Sequence, residues 1–108
     1  MIKIRIGFTD ENEPELEISG HAQAGPRGSD IVCAAVSVLA ENLEDSLQTL
    51  LGKKPRAEKS PGYHCITLRD SQPDGAAALL FAATALGLRR LAAQYPERIV
   101  LDAEKAES

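Results

Sequence analysis

Residues 20–39 read GHAQAGPRGSDIVCAAVSVL and gather three side chains able to do chemistry, His21, Asp30 and Cys33. His21 closes a strand-like run. Asp30 is a natural helix N-cap residue, and Cys33 follows three places later, in the first helical turn. A thiol at the positive end of a helix, with an imidazole to take its proton, is what nucleophilic cysteine chemistry requires. An ordinary thiol, with a pKa of ~8.5, is only a few per cent thiolate at neutral pH, so first-turn amides and the helix dipole bear directly on reactivity. Twelve positions separate His21 from Cys33, and a strand–loop–helix path folds back over that distance.

Each residue also has a plainer reading. Cys33, between Val32 and Ala34, fits a small buried hydrophobe, and His21 fits a solvated strand end. Asp30 is either a helix cap, worth ~1 kcal/mol relative to Ala, or a third member that orients His21. Ser37, one turn beyond Cys33, either donates near the thiol or bonds back to its own helix. Gly25 and Gly28 flank Pro26 within residues 22–29, as in a flap that closes on a ligand or in an ordinary turn. Two Cys and two His formally make a zinc set. The spacing argues against it, because His64 and Cys65 are adjacent on a strand and no paired Cys or His spacing typical of zinc is present. Residues 25–28 (GPRG) lack the Lys-Ser/Thr of a P-loop. Neither a metal nor any other cofactor is expected.

Positioning these residues requires regular elements around them. Ile2, Ile4, Ile6 and Phe8 alternate with polar or small residues, a half-buried strand. After the polar turn at residues 10–14, Leu16, Ile18 and Gly20 alternate with Glu15, Glu17, Ser19 and His21, predicting a hairpin. Unbroken alternation places His21 on the face of the two glutamates, away from the core and in reach of solvent. A helix opens at Asp30 and runs to about Leu51, with Val32, Val36, Leu39, Leu43, Leu47 and Leu50 as its buried stripe and Gly52 as its stop. Residues 31–40 carry no charge, which predicts first turns covered on most sides. Residues 55–60 suit a short edge strand, 63–69 (YHCITLR) a further strand, and Asp74-Gly75 opens a second, Ala-rich helix to about Tyr95. A last strand lies at 99–101. The expectation is a single α+β domain over 1–108, with a polar tail from about 103. The order is ββαββαβ, and two long helices pack on one face of a small mixed or antiparallel sheet.

Composition narrows the partners. The net charge of −4, with scattered basic residues and 4% aromatics, argues against direct nucleic-acid binding. The longest uncharged stretch, 75–88, is 14 residues, short of the ~20 a membrane span needs. The N-terminal residues show no signal-peptide pattern. A cytoplasmic setting with reduced thiols is therefore expected.

Gly20-His21-Ala22, followed by Gly28-x-Asp30-Ile31-Val32-Cys33-Ala34-Ala35-Val36-Ser37, resembles the signature of the ribosomal-processing cysteine protease family, Prp. The resemblance extends over the domain through element order and length. It implies a homodimeric cytoplasmic peptidase that removes an N-terminal extension from bacterial large-subunit ribosomal protein number twenty-seven. It also implies Cys33 as nucleophile, His21 as base, Asp30 as the motif acid and Gly20 and Ser37 as supporting positions. The segment holding Gly25 and Gly28 would be the substrate loop. Two other classes fit the same residues: a non-catalytic dimeric ribosome-assembly or scaffold module, and a thiol redox sensor using Cys33 and Cys65.

Overall fold

A computed structural model describes residues 1–21, 30–69 and 75–103. The elements, in chain order, are β1 (Ile2–Phe8), β2 (Pro14–Gly20), α1 (Ile31–Thr49), β3 (Arg56–Ser60), β4 (Tyr63–Thr67), α2 (Gly75–Gln94) and β5 (Ile99–Ala103). The ββαββαβ order is the one expected. The strands form one sheet in the order β3-β4-β2-β1-β5. Only the β1–β5 pairing is parallel; the others are antiparallel, so the sheet is mixed.

The alternation in β1 and β2 does what a period of two predicts. Ile2, Ile4, Ile6, Leu16 and Ile18 turn to one face and are buried there, joined by Ile66 from β4. Helix α1 meets them with Val32, Val36, Ala40, Leu43 and Leu47, and α2 with Ala77, Phe81, Ala85 and Leu88. All belong to one core cluster. Fully buried side chains such as Leu16, Leu47 and Leu88 each contribute ~1.5–3 kcal/mol. The opposite face of the sheet carries Arg5, Glu15, Glu17, Tyr63 and Cys65.

Three expectations about the helices need correction. Leu50 is 71% exposed, because α1 ends at Thr49 and Leu50 serves as the C-cap residue; Ala40, absent from the expected stripe, is buried in the core. The uncharged first turns are open on one side, with Ile31 and Val38 each 63% exposed, since the sheet and α2 cover only part of the helix surface. Helix α2 runs to Gln94, as expected. The expectation that its uncharged stretch is too short for a membrane span does not hold for the whole element, whose 20 residues are long and apolar enough, by length and composition, to cross a bilayer. In this fold one side of it packs on α1 and β5. Gly87 permits that approach, for a Cβ there would lie 3.1 Å from Cδ1 of Leu39 on α1.

Candidate active site

Helix α1 is started by Asp30, whose Oδ1 accepts the backbone N–H of Cys33 at 2.9 Å. This is an N-cap bond to the third residue of the helix, and it satisfies one of the four amides that every helix start leaves without an intrahelical partner. It also fixes the first turn in which Cys33 sits. Cys33 is not disulfide-bonded, is partly exposed, and packs beside the core.

His21 follows β2 directly. It is exposed, as expected, but it does not share the face of Glu15 and Glu17. Gly20 adopts a φ of +93°, outside the extended region, and this breaks the strand alternation one residue before the imidazole. His21 consequently lines a cavity of about 460 Å³ on the helix side of the sheet, together with Cys33, Ile2, Ile18, Val36 and Ala40. The kink is locked from two sides. The Gly20 N–H donates to the Gly62 carbonyl at 2.8 Å, and a Cβ at position 20 would lie 2.3 Å from the Met1 carbonyl oxygen. The positive φ and the close approach of the Met1 carbonyl together require glycine.

Ser37 lines the same cavity one turn along α1, and Gly20 contributes to the wall. Four sequence-predicted positions, Cys33, His21, Ser37 and Gly20, therefore converge there, and Asp30 supports the helix end that carries the thiol. Gly25 and Gly28 lie outside the described residues.

The remaining wall, residues 59–64, went unrecognised as part of the site in the sequence. It is the β3–β4 hairpin, tied to α1 by two pairs. His64 Nε2 lies 3.0 Å from Glu44 Oε1, and Lys59 pairs with Glu41. Glu41 and Glu44, three apart on a helix, were a readable signal of a shared acidic edge; their strand partners were not. The Lys59–Glu41 pair holds the Glu41 carboxyl below its ordinary range.

Cys65 occupies a different environment. With Tyr63, Thr67, Glu15 and Glu17 it lines a cavity of about 210 Å³ on the outer face of the sheet. Tyr63 donates to Glu17 at 2.9 Å and Thr67 to Glu15 at 2.7 Å. Burial, and then the Glu15 charge, push the Cys65 thiol up, so it stays protonated at neutral pH. The sheet separates the two thiols' cavities, which is the wrong arrangement for a Cys33–Cys65 link. Among the described residues no group of three or more His, Cys, Asp or Glu is placed to hold a metal ion.

The family described as cysteine protease Prp matches residues 1–100. The chain belongs to the Prp family. It is accordingly a cysteine protease. Solved structures share the fold. The Staphylococcus aureus ribosomal processing protease Prp, with a covalently linked product peptide, superposes with a TM-score of 0.84 at 27% identity, covering 96% of this chain and 100% of that one. The same Prp with a substrate peptide gives a TM-score of 0.80 at 25% identity, again over 96% and 100%. Streptococcus mutans SMU.848 is 33% identical, with a TM-score of 0.76 over 95% of this chain and 93% of its own. No curated protein matches the chain.

Proposed function

We propose that this Prp-family protease removes the N-terminal extension of bacterial large-subunit ribosomal protein twenty-seven in the cytoplasm, with Cys33 as nucleophile and His21 as its base. One observation carries the assignment: of the two thiols, Cys33 alone shares a cavity with an exposed imidazole, whereas Cys65 lies among carboxylates on the other face. The relative from S. aureus, a ribosomal processing protease with a covalently linked product peptide, supports both the substrate class and a covalent mechanism.

In this reading His21 takes the Cys33 proton and the thiolate sulfur attacks the scissile carbonyl carbon. The tetrahedral oxyanion draws on first-turn amides of α1. The amide at Cys33 itself is committed to Asp30, so amides ahead of it serve. Collapse breaks the C–N bond, and the imidazolium of His21 protonates the departing amine. Water, deprotonated by His21, then attacks the thioester, releasing a carboxylate and restoring the thiol. Asp30 acts as the cap that holds this helix start, Gly20 as the kink that turns His21 inward, and Ser37 as a polar wall near the thiol.

Incubation with the host's full-length ribosomal protein, read by intact mass, tests the reading. A shortened substrate and an N-terminal fragment whose masses sum to the parent plus one water are expected. An intact extension after prolonged incubation would overturn the substrate assignment.

The chain also fits a homodimer. Val38 of α1 and Leu79 and Leu86 of α2 are each 63–67% exposed on the helix layer, and Leu79 and Leu86 fall two turns apart on one side of α2. Sedimentation at micromolar concentration is expected to give about twice the chain mass of 11.6 kDa; a monomer would remove this assignment.

A further inference from the structure

The tip of the β3–β4 hairpin comes up against the His21 ring. A Cβ built at Gly62 would lie 2.7 Å from His21 Nε2, 3.3 Å from Cε1 and 3.4 Å from Cδ2. The imidazole thus occupies the space that a side chain at position 62 would claim. Gly62 also accepts the Gly20 N–H, so one residue anchors the backbone kink before His21 and bounds its ring. The hairpin is held in turn against α1, the helix of Cys33, through His64–Glu44 and Lys59–Glu41.

We infer that Gly62 is a positioning residue for His21: its missing side chain leaves the imidazole its place beside the Cys33 cavity. This rests on the assignment of Cys33 and His21 as the reacting pair. An exposed ring is free to swing, whereas the turn backbone is not, so a Cβ at position 62 displaces the imidazole and leaves the fold largely in place. Displacement of about 1 Å in a reacting group costs ~10²-fold in rate.

Gly52 provides the control. It has a φ of +64°, close to the +74° of Gly62, but a Cβ there meets nothing within 4 Å. Ala at either position carries left-handed backbone strain; only Ala at 62 meets the imidazole. In the full chain, Gly52→Ala is expected to lower the melting temperature while Cys33 alkylation by iodoacetamide keeps its wild-type pH profile. Gly62→Ala is expected to give the alkylation profile of His21→Ala and a ~10²-fold lower kcat on the substrate peptide, with little change in KM. On a His21→Ala background the space is empty, so Gly62→Ala should lower the melting temperature less and the rate no further. A Gly62→Ala chain that folds only when His21 is also Ala carries the same meaning. An alkylation profile like that of Gly52→Ala, or an equal loss of melting temperature with and without His21, would overturn the inference and leave the reacting pair standing. Wild-type alkylation and cleavage by His21→Ala itself would overturn the pair.

Discussion

Cys33→Ala is expected to abolish peptide cleavage, lowering kcat by at least ~10⁴-fold, the scale seen when a covalent nucleophile is removed. The fold should persist. Cys33 is partly exposed, and the cap that defines its turn runs through its backbone N–H and not its sulfur. A change of about 1 kcal/mol or less in unfolding free energy is expected. Cys65→Ala supplies the comparison, because its thiol faces the outer side of the sheet among Glu15, Glu17 and Thr67. That variant should cleave normally. Alkylation adds an independent check: with burial and the Glu15 charge keeping Cys65 protonated, iodoacetamide at neutral pH should modify Cys33 first. Cleavage retained by Cys33→Ala but lost with Cys65→Ala would reverse the assignment of the nucleophile.

His21→Ala should be the second most damaging change, lowering kcat by ~10²–10⁴-fold, the usual contribution of a positioned acid–base group. Because the ring is exposed, its loss should leave the melting temperature close to wild type, and free imidazole should restore part of the rate. The pH dependence of kcat/KM should lose the limb that reports the base. His64→Gln makes a useful contrast. His64 is buried at 7% exposure and faces Glu44, so its replacement acts on how the β3–β4 hairpin docks against α1. It should lower the melting temperature and keep that limb. A pH profile altered by His64→Gln and untouched by His21→Ala would make His64 the base and overturn the His21 assignment.

Much of the site was legible because its parts are local. Asp30 stands three residues before Cys33, and that spacing alone specifies an N-cap bond to the Cys33 amide. The alternating isoleucines of β1 and the three-and-four stripe of α1 each declare a period, and each buries the face that period picks out. Leu50 shows where such reasoning stops: it continues the stripe but lies at the helix end, where no partner element reaches it. The Prp signature, 20–22 and 28–37, is likewise confined to one short stretch of the chain.

What the chain could not declare locally depends on residues far apart in sequence. The amino-acid order alone determined the seven elements, their order, the buried faces of β1, β2 and α1, the capped helix start beneath Cys33, and the family. Only the tertiary structure decided that β5 lies parallel beside β1, that the β3–β4 hairpin walls the cavity, and that His21 lines the cavity Cys33 also lines, away from the face of Glu15 and Glu17. The last of these has a compact physical cause. Strand alternation is a property of neighbouring residues, but the +93° φ of Gly20 is held by a carbonyl from Gly62 and close packing against Met1. A glycine's sequence records only that such a conformation is permitted; the distant backbone that selects it becomes visible when the chain is folded.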